Sequence, residues 1–118
     1  MITVWGLKNC DTCRKARAWL DGRAVSHTFK DVRADGLTAP VVRAWIDAVG
    51  ADTLVNRRGT TWRGLDDAAQ AKADDPATVV DLLVANPALV KRPVFVGASG
   101  AIVVGFGKAE QVRVEALP

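Results

Sequence analysis

The alternation of hydrophobic and polar positions predicts that the chain opens with a strand, a helix and a second strand. Residues 2–5 form a short apolar run that Gly6 ends, which is typical of a buried strand. Residues 11–21 carry apolar side chains at helical spacing, and a glycine follows as a stop signal. Residues 25–30 are rich in strand-forming side chains. This β-α-β order implies a parallel strand pair with a right-handed crossover.

The middle of the chain is predicted to be mainly helical. Apolar side chains recur at helical spacing over residues 40–49, with a proline suited to the first turn. Residues 52–63 follow neither the helical nor the strand period, and we expect them to be irregular and partly exposed. One further helix is predicted over residues 65–73, and another begins after Pro76 and closes at Asn86.

The last third of the chain predicts a hairpin and a helix. Residues 94–96 and 102–104 read as two strands joined by a tight turn, and residues 108–115 read as a helix. The order is therefore β-α-β, a mainly helical insertion at about 37–88, then β-β-α. We expect one α/β domain whose four-stranded mixed sheet has helices on its faces.

Length and composition narrow the class of protein. The 118 residues suit one domain, and 49% hydrophobic residues allow a core that needs no disulfide or metal. The net charge of +3 fits anionic ligands but does not by itself indicate nucleic-acid binding. The N-terminus lacks the layout of a signal peptide, and no apolar run approaches the roughly 20 residues that span a bilayer. We therefore expect a soluble, cytoplasmic protein whose thiols are kept reduced.

The candidate chemistry lies in a C-x-x-C pair formed by Cys10 and Cys13. A structural zinc needs about four ligands, and the only histidine is the distant His27, so we expect no metal. Cys10 falls at the start of the first predicted helix, where free N–H groups and the helix dipole favour a thiolate, and Lys8 adds positive charge nearby. Cys13 lies one turn on, where it can resolve a mixed disulfide on Cys10.

A structural alternative exists for each of these candidates. Two small buried residues on a helix would explain the cysteines, because free cysteine packs well. The arginines of residues 57–63, together with Arg92, would form an anion site near Cys10, or would instead form salt bridges with Asp66 and Asp67. The four tryptophans are read as core or near-core residues, and a catalytic role for the histidine is disfavoured.

Four stretches of the chain resemble the arsenate reductase and Spx-like family, and most closely its branch of small arsenate reductase-like proteins. They are residues 4–16, 31–37, 56–63 and 91–93, and they occur in the expected order over nearly the whole chain. The resemblance implies a thioredoxin-like fold with a helical insertion.

The resemblance also implies roles for individual residues. In arsenate reductases, the cysteine matching Cys10 attacks arsenate while arginines hold the oxyanion, and Arg92 matches one of these arginines. Pro93 resembles the cis-proline that faces the active cysteine in thioredoxin-like folds. No bound cofactor is implied, but glutathione is expected as a co-substrate, with glutaredoxin or thioredoxin as alternative reductants.

The sequence departs from the arsenate reductases in two places. By spacing, their middle arginine falls at Asn56, whereas Arg58 matches the Spx-like pattern. Glutathione-coupled arsenate reductases carry a single cysteine in this loop, whereas the C-x-x-C resembles the redox switch of Spx regulators, which bind RNA polymerase. Three functions stay open: a thiol-dependent reductase of a disulfide or of an oxyanion such as arsenate, a redox-sensing regulator, or an inactive adaptor that retains the fold. We favour the reductase.

Overall fold

The computed structural model describes residues 1–117, which divide into two compact units. The sheet unit comprises residues 1–35 and 92–117, and the helical unit comprises residues 36–91. The helical unit contains the segment predicted as an insertion.

The sheet unit is built on four strands and two helices. Its elements are β1 (Ile2–Gly6), α1 (Asp11–Gly22), β2 (His27–Asp31), β3 (Val94–Val96), β4 (Ile102–Val104) and α7 (Lys108–Glu115). The strand order is β2-β1-β3-β4, in which β1 pairs parallel with β2 and antiparallel with β3, and β3 pairs antiparallel with β4. The predicted four-stranded mixed sheet is confirmed.

The core of the sheet unit lies against one face of this sheet. Alternate residues of β1 are buried, as expected for a strand whose side chains point to opposite faces. Ala16 and Leu20 of α1 pack there with Phe95 of β3, and each is at most 1% exposed. This packing fixes α1 against β1 and therefore fixes the loop that joins them.

The helical unit consists of short helices and two turns of 3-10 helix. They are α2 (Ala39–Val49), α3 (Ala51–Leu54), α4 (Thr60–Arg63), α5 (Asp67–Ala71), the 3-10 turn Lys72–Asp74, α6 (Val79–Ala85) and the 3-10 turn Pro87–Leu89. An antiparallel β-bridge joins Val55, in the middle of the unit, to Val90 near its C-terminal end. Trp45, Leu54 and Leu83 are buried, so this unit has apolar contacts of its own.

Three sequence predictions need correction at their boundaries. The second strand is His27–Asp31 rather than residues 25–30, because α1 closes with a bond from the N–H of Val25 to the carbonyl of Leu20. Residues 52–63 are not wholly irregular: they include most of α3 and all of α4. These helices have four residues each, too few for a periodic pattern to appear in the sequence.

The helix predicted over residues 65–73 is also shorter and divided. The side chain of Asp66 accepts a hydrogen bond from the N–H of Ala69, which fixes the start of α5, and the chain then tightens into a 3-10 turn. By contrast, both hairpin strands and α7 have the bounds predicted from the sequence.

Among residues 1–117, no helix is both long and apolar enough to cross a membrane.

Candidate functional site

Cys10 is positioned by the junction between β1 and α1. Its backbone is extended, with φ −94° and ψ 120°, and it is the N-cap residue of α1. Its N–H bonds the carbonyl of Leu7 at 3.2 Å, and its own carbonyl accepts the N–H of Arg14 at 3.0 Å. The half-buried thiol therefore lies at the N-terminal end of a 12-residue helix, as the sequence predicts.

The surroundings of Cys10 favour its thiolate. Burial alone would raise the pKa of this thiol, but the N–H of Cys13, the thiol of Cys13 and the guanidinium of Arg92 together bring it below its ordinary value. The N–H of Cys13 acts on the sulfur without the geometry of a formal capping bond. The thiolate form is therefore favoured at a sulfur that has partial access to solvent.

Cys13 has the opposite character. It is only 1% exposed, and burial, followed by the adjacent charge of Cys10, raises the pKa of its thiol to about 12 despite the opposing N–H of Leu7. Both cysteines are free. The raised pKa favours the protonated thiol of Cys13, and the interaction of that thiol with Cys10 helps to lower the pKa of Cys10.

Arg92 and Pro93 directly precede β3. The Arg92–Pro93 peptide bond is cis, which confirms the expectation drawn from the resemblance. The guanidinium of Arg92 lowers the pKa of the Cys10 thiol through hydrogen bonding and through its charge. Within residues 1–117, Arg92 is the predicted site cation that lowers the pKa of the Cys10 thiol.

The Cys10 loop is anchored by Asp31, a residue that the sequence analysis did not single out. Asp31 is the last residue of β2 and is buried. Its carboxylate accepts the N–H groups of Lys8, Arg33 and Ala34 at 3.2, 2.8 and 2.9 Å. The N–H of Ala34 contributes most to holding the pKa of Asp31 below its usual range. The N–H groups of Arg33 and Lys8 act in the same direction, and burial opposes all three in part.

A sequence signal for Asp31 exists. Asp at the end of a predicted strand, followed by a segment rich in Asp and Gly, is typical of a side chain that caps its own turn. The bond to Lys8 carries no such signal, since 23 positions separate the two residues.

Lys8 lies beside this anchor. The charge of Lys8 helps to lower the pKa of the Asp31 carboxyl. Lys8, Asn9 and Arg33 line a cavity of about 390 Å³ next to the loop. The role of Lys8 in anion binding stays a prediction.

The arginines of residues 57–63 belong to the helical unit, where the guanidinium groups of Arg57 and Arg63 have contacts. Arg57 lies 3.0 Å from Asp74 and 3.6 Å from Asp52, and its guanidinium stacks on Trp62 at 5.0 Å. Arg63 donates to the carbonyl of Arg58 at 2.8 Å. Salt bridging by Arg57 matches the structural alternative, with partners other than the predicted Asp66 and Asp67.

Arg58 is exposed and lines a cavity of about 430 Å³ within the helical unit, together with Asn56 and Lys91. Its N–H bonds the side-chain oxygen of Asn56 at 3.1 Å. An anion-binding role for Arg58 stays a prediction.

Other sequence candidates have structural contacts. Nδ1 of His27 lies 3.0 Å from the carbonyl of Val25, and Nε2 lies 3.8 Å from Asp21. Asp11 forms an ion pair with Arg14, which lowers the pKa of its carboxyl. Trp45 is buried, and the other three tryptophans are partly buried. Over residues 1–117, no three His, Cys, Asp or Glu side chains are grouped so as to hold a metal.

The chain is similar in sequence to three known proteins, two of which have solved structures. The chain is 39% identical to the YFFB (PA3664) protein, covers 100% of both chains and superposes with a TM-score of 0.86. It is 37% identical to an arsenate reductase (ArsC) related protein from Brucella melitensis, with a TM-score of 0.75 over 98% of this chain and 95% of that one. It is 27% identical to the global transcriptional regulator Spx of Streptococcus pyogenes over 93% of this chain and 81% of the regulator.

These similarities agree with the fold. The thioredoxin-like sheet carries a free cysteine pair at the start of α1 and a cis Arg92–Pro93 bond, and Arg92 lowers the pKa of the first cysteine. The ArsC family matches residues 5–114, which is nearly the full length. The chain therefore belongs to the ArsC family.

Proposed function

We propose that this chain is a thiol–disulfide oxidoreductase in which Cys10 is the nucleophile. The observation that carries the proposal is the Cys10 thiol itself: half-buried, at a helix N-terminus, with its pKa lowered by Cys13 and Arg92 after burial is overcome. A thiolate attacks sulfur and the thiol does not, so a lowered pKa raises the reactive fraction near neutral pH.

The proposed reaction begins with a disulfide substrate. The Cys10 thiolate attacks one substrate sulfur, the substrate S–S bond breaks, and one substrate thiolate leaves with the bonding electron pair. The product is a mixed disulfide on Cys10. The negative charge of Cys10 is now gone, so this charge no longer raises the pKa of Cys13.

Cys13 is the proposed resolving thiol. After it loses its proton, its sulfur attacks Cys10, the second substrate thiolate leaves, and a Cys10–Cys13 disulfide remains. Two molecules of glutathione, or one dithiol protein such as glutaredoxin or thioredoxin, then reduce this disulfide and leave oxidised. In a second route, glutathione attacks the mixed disulfide directly and Cys13 serves only as a hydrogen-bond donor.

A small oxyanion such as arsenate is the alternative substrate at the same thiol. The Cys10 sulfur would replace one arsenate oxygen, which leaves as water. Attack of glutathione on that sulfur would leave the electron pair on arsenic and release arsenite. A second glutathione would then free Cys10 and form glutathione disulfide. Arg92 is the proposed oxyanion ligand, with Lys8 as a further cation and Pro93 shaping the site.

The test is an anaerobic assay of the parent, Cys10→Ser and Cys13→Ser with reduced glutathione and either arsenate or hydroxyethyl disulfide. Cys10→Ser should abolish turnover of the true substrate. Cys13→Ser should accumulate a mixed disulfide, visible by mass, if Cys13 resolves, and should turn over normally if glutathione does. Equal turnover by the parent and Cys10→Ser would refute the proposal.

A redox-sensing regulator is the second candidate, and the similarity to Spx together with the C-x-x-C pair favours it. Its expected signature is binding to RNA polymerase that differs between the reduced chain and the chain with a Cys10–Cys13 disulfide. Redox-dependent binding without turnover of either substrate would favour the regulator over the enzyme.

A further inference from the structure

Gly6 lies directly against the second cysteine. It is the last residue of β1 and is buried. A methyl group on its Cα would overlap the Cys13 sulfur, and would lie 3.1 Å from Cβ of Cys13 and 3.4 Å from Cε1 of Phe29. The position therefore has no room for any larger side chain while Cys13 stays where it is.

The backbone of Gly6 does not explain the choice of glycine. The glycines with positive φ are Gly36, Gly50, Gly100 and Gly105. Gly6 pairs with Asp31 in the parallel β1–β2 ladder, so its conformation is that of a strand, which alanine adopts readily. Because glycine weakens a strand, its presence here indicates a close approach by another group.

The helix that carries Cys13 cannot easily move away from β1. Ala16 and Leu20 of α1 are at most 1% exposed and pack in the same core as Val4 of β1. A methyl group at position 6 would thus displace the Cys13 side chain before it displaced the helix.

We propose that Gly6 is the positioning residue for Cys13, because its missing side chain provides the space that holds the Cys13 thiol beside Cys10. The N–H of Leu7, the residue after Gly6, also faces the Cys13 sulfur. The end of β1 thus leaves space for this sulfur at Gly6 and offers it a hydrogen-bond donor at Leu7. The consequence for catalysis rests on the proposed function, but the placement itself does not.

The test is a cycle of four chains: the parent, Gly6→Ala, Cys13→Ala and the double variant. Gly22→Ala is the matched control, since Gly22 lies in α1 and has nothing within 4 Å of an added methyl group. The two measurements are the urea midpoint of unfolding and the pH midpoint of Cys10 alkylation, followed by peptide mass under reducing conditions. Neither measurement uses a substrate.

Gly6→Ala should lower the urea midpoint and should slow Cys10 alkylation at pH 7 by on the order of threefold to tenfold, because Cys10 loses its thiol donor. In the Cys13→Ala background, adding Gly6→Ala should change the alkylation midpoint little and the urea midpoint less than in the parent. Gly22→Ala should leave the alkylation midpoint unchanged.

Two results would overturn the proposal. The first is a Gly6→Ala variant whose Cys10 alkylation midpoint equals that of the parent. The second is a Gly6→Ala change that lowers the urea midpoint equally in the parent and in the Cys13→Ala background. If Gly6→Ala does not fold, the double variant must, and its failure to fold would also refute the proposal. An inactive parent in the reductase assay would remove the proposed function and leave this cycle unaffected.

Discussion

The sheet unit and the helical unit use their charged residues differently. In the sheet unit, Arg92 lowers the pKa of the Cys10 thiol, and the Asp31 carboxylate holds the loop that carries this cysteine. In the helical unit, Arg57 joins two carboxylates and stacks on an indole ring, while Asp66 caps a helix. The guanidinium of Arg57 thus supports a local fold, whereas that of Arg92 changes the chemistry of the thiol.

The effect of a charged side chain depends on whether its partner is exposed or buried. An arginine that is paired with exposed carboxylates has fewer free N–H groups with which to bind a ligand. Such exposed pairs also add little stability. A guanidinium against a half-buried thiol changes the chemistry of that thiol, because the local dielectric is lower there. Four predictions test this contrast, from the largest expected effect to the smallest.

The largest effect should be the difference between the two cysteines of the sheet unit. Cys10 should be alkylated on the order of a thousandfold faster than Cys13 at pH 8, since the Cys13 pKa is about 12 and that of Cys10 lies below 9.0. The measurement is the rate of iodoacetamide labelling against pH, followed by the mass of each cysteine peptide. Equal rates with both midpoints near 8.5 would contradict the structure.

The next effect contrasts one arginine from each unit. Arg92→Ala should weaken binding of arsenate, sulfate or glutathione by about tenfold to a hundredfold, because a charge-assisted bond contributes about 1.5–3 kcal/mol. Arg57→Ala should leave this affinity near the parental value, because its guanidinium pairs within the helical unit. Calorimetric titration of both variants provides the comparison.

Arg92→Lys is the control for charge, and it should restore binding only in part, since lysine lacks the bidentate fork. Parental affinity of Arg92→Ala for all three anions would remove Arg92 from the anion site.

A third effect contrasts two carboxylates. Asp31→Ala should lower the free energy of unfolding by about 1–3 kcal/mol, because three N–H groups lose a buried acceptor. Asp66→Ala should cost about 1 kcal/mol or less, as expected for an exposed helix cap. Urea titrations at pH 7 measure both values.

The Asp31 effect should also depend on pH. Its folded pKa lies below the ordinary value of about 3.9, so its contribution is present above that pH and is lost as the pH falls through the folded pKa. The difference between the parent and Asp31→Ala should therefore be smaller at pH 3 than at pH 7. A difference that stays constant would mean that the carboxylate charge plays no part.

The smallest effect should be that of Arg57→Ala on stability. Its ion pairs reach Asp52 and Asp74, whose side chains are 99% and 71% exposed, so the loss should be within about 1 kcal/mol, including the contact with Trp62. Urea titration in 1 M NaCl should shrink the difference, because salt screens exposed pairs. A larger loss that resists salt would show that Arg57 contributes mainly by packing.

The fold was largely predictable because its signals are local. Both strands of the hairpin and α7 were predicted to the residue, since turn residues and alternation bound them directly in the sequence. The single-turn helices α3 and α4 were missed, because four residues do not complete a recognisable period.

The candidate site was predictable only in part. The sequence by itself determined the cysteine pair, its place at the start of α1 and, through family resemblance, Arg92 and the cis-proline. Tertiary structure decided which thiol is buried, that Gly6 lies against its sulfur and that Asp31 holds Lys8. These features depend on burial and on partners distant along the chain, which a local pattern of hydrophobic and polar residues does not encode.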